Sequence, residues 1–173
     1  MSSIRLASEI TIDSVVDGPG LRTVIWCQGC THFCLQCHNP ATHCLTGGFE
    51  KPVSAVIQQI LAIEVQSGVT FSGGEPMLQA KSCAEIASAL KRHSINIWCY
   101  TGYVFEELLT KPECLSFLQY IDVLVDGRFI PELKSYNLAF RGSANQRLVA
   151  VAESLYKNQV VLFEYPAATL DGS

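Results

Sequence analysis

Two kinds of hydrophobic periodicity take turns along the chain. Residues 21–28 (L-R-T-V-I-W-C-Q) are β-branched and aromatic in composition and predict a strand. Val53, Val56, Ile57, Ile60 and Leu61 recur at helical spacing and predict an amphipathic helix over 53–65, with Pro52 suited to its first turn and Gly68 to its end. A short buried strand follows over 69–71. Ala80, Cys83, Ile86, Ala87 and Leu90 mark one face of a second helix over 80–93, and 95–100 reads as a strand. Residues 104–118 read as helical with a break before Pro112, because the residue ahead of a proline is pushed out of the helical region. Residues 121–125 are a further strand. At the ends of the chain, 5–12 reads as a short edge strand and 160–165 as a late strand covering an edge. Asp17-Gly18-Pro19-Gly20 is a turn.

Strands and helices thus alternate, which implies a parallel sheet with crossover helices. Four such units are too few for a closed eight-stranded barrel of ~250 residues. The expected fold is α/β, a partial and open β/α barrel or a curved α/β sheet. No internal repeat, low-complexity stretch or linker divides the 173 residues, so one domain over 1–173 is expected. With 49% hydrophobic and 16% charged residues, the chain has enough apolar surface for a substantial core.

The predicted strands end in small or polar clusters: Gly29-Cys30, Ser72-Gly73-Gly74-Glu75, Thr101-Gly102 and Asp126-Gly127-Arg128. Ligands of parallel α/β sheets bind beyond the carboxyl ends of the strands, so the four clusters are expected to face one pocket.

Charge and cysteine usage narrow the chemistry. Twelve Lys and Arg against sixteen Asp and Glu give a net charge of −4 with no basic run, which argues against a nucleic-acid partner. No apolar stretch has the ~18 residues of a membrane span, and residues 1–12 carry no signal-peptide core. A cytoplasmic location is therefore expected. Eight cysteines in a reducing compartment are metal ligands or buried thiols rather than disulfides.

Position selects three of them. Cys30, Cys34 and Cys37 have the spacing C-x3-C-x2-C, which curls three thiolates around one centre. Iron–sulfur clusters are held by thiolates, and three suffice if the remaining iron binds something exchangeable. Cys27 would extend the set to four, but zinc pairs usually sit ~15–20 residues apart. Strand alternation also aims Cys27 away from the loop, so it reads as a buried thiol. Cys44 has no partner at metal spacing and reads as structural. His32 and His43 read as loop surface residues. His38, beside a ligand, is placed to hydrogen-bond a cluster sulfur or a bound cofactor.

The segment 17–40 (D-G-P-G-L-R-T-V-I-W-C-Q-G-C-T-H-F-C-L-Q-C-H-N-P) resembles the cluster-binding segment of radical S-adenosylmethionine (SAM) enzymes, in particular the activating enzymes of glycyl-radical proteins. The resemblance implies a [4Fe-4S] cluster on Cys30, Cys34 and Cys37, with the open iron chelated by the amino and carboxylate groups of SAM. One position departs from the pattern: the residue before the third cysteine, often an aromatic that packs on adenine, is Gln36. Residues 70–76 (T-F-S-G-G-E-P) resemble the family's Gly-Gly-Glu segment, which contacts the SAM amino group. On physical grounds, Gly73 and Gly74 permit close backbone approach, and the Glu75 carboxylate beside them is a hydrogen-bond acceptor for an ammonium. Bare S-G-G-E, with Ser72, is otherwise a turn. By resemblance Thr101 lies near the SAM ribose and carboxylate. Asp126 and Arg128 either pair with each other or, as the family suggests, bind the SAM carboxylate and a counter-ion.

V-L-V-D-G-R-F (123–129) followed by R-G-S-A-N-Q (141–146), with W-C-Y-T-G-Y (98–103), resembles one subgroup, the activating enzymes of anaerobic (class III) ribonucleotide reductase. The resemblance covers about 14–149, and 150–173 has no functional reading. It implies a radical SAM fold and a reaction in which a one-electron donor, such as flavodoxin or ferredoxin, reduces the cluster. SAM is then cleaved to methionine and a 5′-deoxyadenosyl radical, which takes a hydrogen atom from a glycine of the partner reductase. No Ser/His/Asp or paired-carboxylate constellation competes with this reading. Two rivals stay open at the level of sequence: a radical SAM enzyme acting on another protein, a peptide or a small molecule, and a non-catalytic Fe–S carrier or zinc module.

Overall fold

The computed structural model describes residues 2–165. In chain order its strands and α-helices are β1 (Ser3–Leu6), β2 (Thr11–Ser14), β3 (Arg22–Cys27), β4 (Phe49–Pro52), α1 (Val53–Leu61), β5 (Gly68–Gly73), α2 (Ala80–Lys91), β6 (Ile97–Tyr100), α3 (Phe105–Leu108), α4 (Pro112–Leu118), β7 (Val123–Asp126), β8 (Arg147–Ala150) and α5 (Val151–Lys157). All strands belong to one sheet, ordered β4-β1-β3-β5-β6-β7-β8, with β2 also paired to β3. The sheet is open, and β4 and β8 are its edges.

The four strands expected from the sequence are the parallel centre, β3, β5, β6 and β7. Their crossovers carry α1, α2 and the α3–α4 pair, which is interrupted ahead of Pro112 as the proline requires. The flanks depart from an all-parallel sheet: β1, β2, β4 and β8 run antiparallel to their neighbours. Residues 5–12 are not one edge strand. β1 lies between β4 and β3, and β2 takes the other half of the same β3 edge, pairing Thr11 with Val24 and Ser14 with Arg22. The split lets one strand edge serve two short strands, β1 fixed at its end by Gln28 N–H donating to the Arg5 carbonyl. Residues 160–165 run along β8 as expected, but through a single bridge, Leu162 to Val149, rather than a full strand. Within the remainder of the extension, α5 is an element the sequence reading did not contain, and 166–173 lie outside the described residues.

Alternation along the strands sorts the two faces of the sheet. Ile25, Cys27, Val69, Phe71, Ile97, Cys99, Leu124 and Val149 pack with the buried faces of the helices in one core. Trp98, Val123, Val125 and Leu148 form a smaller cluster on the opposite face, with Tyr100, Phe140 and Phe163 against it. A fully buried Leu, Ile or Phe is worth about 1.5–3 kcal/mol, so the helical side carries most of the apolar stabilisation. The other face is left free to border a cavity. No helix among the described residues is long and apolar enough to cross a membrane.

Candidate cluster and ligand site

A cavity of about 690 Å³ opens beyond the carboxyl ends of the parallel strands. Cys30, Cys34, Cys37 and His38 border it on one side, and Ser72, Gly73, Gly74, Thr101 and Gly102 follow along the rim. Gly127 and Arg128 continue that rim from β7. Trp26 and Tyr100, on the free face of the sheet, and Phe129, Phe140 and Arg141, from the long β7–β8 connection, complete its walls. The four strand ends therefore meet at one cavity, as the sheet topology predicts. Asp126 does not reach it.

The cysteine loop leaves β3 and is pinned locally by Gly29 N–H donating to the Thr42 carbonyl (2.8 Å) and Cys37 N–H to the Cys34 carbonyl (3.2 Å). Two non-glycine residues, Phe33 (φ 49°) and Gln36 (φ 54°), adopt the left-handed conformation, which turns the chain sharply at a steric cost. The reversals bring all three thiols onto the cavity. Burial pushes the Cys30 thiol up; a hydrogen bond from the His32 backbone opposes this, and Glu75, Cys34 and Cys37 raise it further. Asn39 N–H donates to Cys37 Sγ at 3.4 Å. Such N–H···S bonds stabilise a thiolate ligand and tune an iron–sulfur cluster. Among the described residues no three His, Cys, Asp or Glu side chains converge on a point for a single metal ion. Cys30, Cys34 and Cys37 all line the cavity. Cys27 lies in the core, as strand alternation requires, whereas Cys44 is exposed.

The double glycine has a reason within the chain itself. Gly74 N–H donates to the Cys27 carbonyl (2.7 Å) and Glu75 N–H to the Gly29 carbonyl (2.8 Å). A Cβ on either glycine would collide with those same carbonyls, and Gly73 also has φ +97°. The β5 exit thus lies directly against the β3 exit that launches the cysteine loop. Glu75 is buried and its four acceptor positions are filled. Oε1 takes Met77 N–H (3.0 Å) and the Thr101 hydroxyl (2.9 Å); Oε2 takes Gly102 N–H (2.8 Å) and His32 Nε2 (2.8 Å).

The remaining residues singled out from sequence are distributed unevenly. Gln36 is exposed and outside the cavity lining, Ser72 and Thr101 border it, and the His38 ring packs on Phe129 at 4.9 Å. Asp126 does not pair with Arg128. Its fully buried carboxylate accepts Phe105 N–H (2.8 Å) and the Arg147 guanidinium, turning towards the start of α3. Arg128 stays exposed on the rim. His32 is not the surface residue expected: it is buried beside Glu75, with Tyr103 edge-on at 4.5 Å.

From the sequence Arg141 is only part of the 141–146 motif, with no site role. It borders the cavity, and its Nε is buried with no hydrogen-bond partner among the described residues. The loop holding it is rigidly tied: Gln146 Oε1 accepts Gly142 and Ser143 N–H, and Gln146 Nε2 donates to the Gly127 carbonyl. That the segment is rich in Asn, Gln and Ser was the available signal, since these side chains bond loop backbone.

Three soft thiolate donors on one cavity, supported by N–H···S bonds, fit an iron–sulfur cluster. A cavity of this size, bordered by backbone polar groups and by Arg141 with its buried, unpartnered Nε, fits a small zwitterionic ligand such as SAM. The three thiols on an α/β scaffold are thus candidate ligands of a single cluster. Comparison with known proteins agrees. The sequence profile of the 4Fe-4S single cluster domain family matches residues 16–149. The anaerobic ribonucleoside-triphosphate reductase-activating protein of Vibrio cholerae is 37% identical over 140 residues, 76% of this chain and 89% of its own length. The protein of the same name from Enterobacteria phage T4 is 32% identical over 149 residues (83% and 92%), and that from Escherichia coli K12 33% over 141 (76% and 90%). The chain belongs to the 4Fe-4S single cluster domain family and, within it, to the anaerobic ribonucleoside-triphosphate reductase-activating proteins.

Proposed function

We propose that the chain activates an anaerobic ribonucleoside-triphosphate reductase by forming a glycyl radical on it, using a [4Fe-4S] cluster held by Cys30, Cys34 and Cys37 and SAM bound in the same cavity. One observation carries the reading: the three cysteines and the exits of β5, β6 and β7 border a single cavity at the carboxyl edge of the parallel strands. When bound, a reduced cluster and SAM supply a carbon-centred radical able to take a hydrogen atom from a glycine. The chain's own residues hold and shield. Three thiolates leave one iron position open. Ser72, Gly73, Gly74 and Thr101 form the seat beside it, and Arg128 and Arg141 offer cations to a carboxylate. Trp26, Tyr100 and Phe140 give the cavity an apolar wall that excludes water from a reactive species.

On this reading the open sheet with helices on one face is a portion of a radical SAM β/α barrel. A one-electron donor, of the flavodoxin or ferredoxin kind, is the further partner required. The eight free cysteines suit a reducing cytoplasm.

The test is anaerobic reconstitution, reduction and incubation with SAM and the reductase. The expected result is a glycyl-radical EPR signal on the reductase that needs all components. Deoxyadenosine released without that signal would point to a different substrate. One zinc per chain and no visible absorption would remove the radical reading altogether.

A further inference from the structure

The acid of the Gly-Gly-Glu segment stands in an unexpected place. A carboxylate free to meet an ammonium would keep acceptor capacity towards the cavity. The four donors on Glu75 come instead from three loops: His32 in the first turn of the cysteine loop, Met77 after its own turn, and Thr101 and Gly102 at the β6 exit. A carboxylate has about four acceptor sites, so none is left for a ligand. The His32 and Glu75 side chains are 4% and 1% exposed, which makes the bond one that water does not compete for. Two further observations point to the same contact. A Cβ on Gly102 would collide with the His32 ring, so glycine at the β6 exit is what admits the imidazole. The Tyr103 ring closes on His32 from the other side, and Lys111 Nζ caps that ring at 3.6 Å from its centroid.

We propose that His32 and Glu75 form a positioning clamp: the pair ties the Cys30–Cys34 turn to the exits of β5 and β6, and so fixes the cluster ligands relative to the ligand seat on Gly73, Gly74 and Thr101. Glu75 and His32 both border the cavity, but with its acceptor sites filled Glu75 acts through the loop and not as an acceptor for the ligand. The proposal rests on the cluster-and-SAM reading above. Its physical basis is that the clamp spans the two halves of the site. His32 sits between two thiols of the ligand set, whereas Glu75 and Thr101 belong to strand exits on the seat side. Partners that orient ligand-bearing loops are commonly worth about 10- to 100-fold in affinity or activity.

Wild type, Glu75→Gln, His32→Leu, His32→Gln and the double variant Glu75→Gln/His32→Leu are reconstituted anaerobically. Iron content, SAM affinity and the EPR spectrum of the reduced cluster with and without SAM are then measured. The clamp predicts iron near the wild-type level in Glu75→Gln and His32→Leu, with SAM bound about 10- to 100-fold more weakly and its effect on the cluster spectrum lost. His32→Gln keeps an N–H donor at similar reach and should recover most of both. The double variant should be no worse than the poorer single, since the two residues act as one unit.

His32→Leu binding SAM like wild type while Glu75→Gln does not would assign Glu75 to the ligand directly and overturn the clamp. Wild-type behaviour in both, or additive losses, would overturn it equally. If a variant takes up no cluster, the apo-proteins decide. Alkylation of buried Cys30 should quicken in His32→Leu and in Gly102→Ala and return to the wild-type rate in His32→Gln, and unchanged rates would end the proposal. Should wild type itself fail to bind SAM, the functional reading fails, while the alkylation series still tests the clamp separately.

Discussion

Two charged side chains are buried at opposite ends of the same strands, and they are held in different ways. Arg22 sits at the amino end of β3. Its guanidinium donates to Thr70 Oγ1 (2.7 Å), the Val69 carbonyl (2.7 Å), and both the side-chain (3.1 Å) and backbone (3.3 Å) oxygens of Asn96, and it lies 5.5 Å from the centre of the Trp98 ring. Burial lowers it to about 10, so it stays charged at neutral pH. Glu75 sits just past the carboxyl end of β5. Arg22 draws on strand residues and on the segment entering β6, which the sheet already fixes. The Glu75 side chain draws on loops, and adds to the backbone bonds of Gly74 and Glu75 to the β3 exit a link to His32 and to the β6 exit. A fully hydrogen-bonded buried charge is therefore a device for stability at one end and for geometry at the other. Buried polar groups that are completely satisfied specify one arrangement, and the penalty for unpairing them enforces it.

The largest effect that tests this contrast lies in the loop itself. Replacing Cys30, Cys34 or Cys37 with Ala should abolish cluster uptake, read as iron content and visible absorption of the reconstituted protein. Cys27→Ala should keep the cluster and cost about 1 kcal/mol of packing, because Cys27 lies in the core on the helical side. A cluster retained by any of the three, or lost with Cys27, would mean that the ligand trio is wrongly chosen.

Next in size is Arg22→Met. It removes the four hydrogen bonds that the buried guanidinium donates to Thr70, Val69 and Asn96, a loss of about 3 kcal/mol. For a chain of this length that is roughly 6–12 °C in melting temperature. SAM affinity and the cluster spectrum of the folded variant should match wild type. A parallel loss of SAM affinity would show that the two ends of the sheet are not separable, and the contrast would fall.

Why one end was readable from sequence and the other was not follows from the same contrast. β3, β5, β6 and β7 announce themselves because nearly all their residues are buried, which leaves short apolar runs bounded by turn residues. β4 and β8 are half-buried edge strands that exist through one partner each, so neither carries the run of buried residues that marks β6 and β7 at the same length. The thiol trio is legible because metal ligation imposes spacing along the chain. The orientation of Glu75 is not, because it depends on His32, 43 residues away. His32 in turn depends on the missing side chain of Gly102. Asp126 shows the same limit. An acid at a strand exit looks functional, but an arginine that enters with β8 draws it out of the cavity. Spacing reveals what a ligand demands of nearby residues, and it is silent on contacts closed by the fold.

Arg147 offers the mildest test, since it joins a buried arm to an exposed one. Its guanidinium is pushed up first by its bond to Asp126 and then by Glu106. In return it holds the Glu106 carboxyl below its ordinary value of 4.5. The Glu106 side chain is 56% exposed, so solvent screens the pair and it is worth about 0.5 kcal/mol. The sign is fixed by linkage. A carboxyl whose pKa is lower in the folded protein stabilises it above the unfolded pKa, and that stabilisation disappears as pH falls through the folded value. Glu106→Gln should therefore be less stable than wild type by about 0.5 kcal/mol at pH 7 in denaturant unfolding. The gap should narrow as pH falls below the ordinary value of 4.5 and close once pH has passed the lowered folded value. Asp126 should keep Arg147 and the start of α3 in place, so ligand affinity at the rim should not change with pH in step with this gap. A gap that persists in acid would mean that Glu106 contributes by packing rather than by charge, which would leave Asp126 as the only ionic anchor between β8 and the helix.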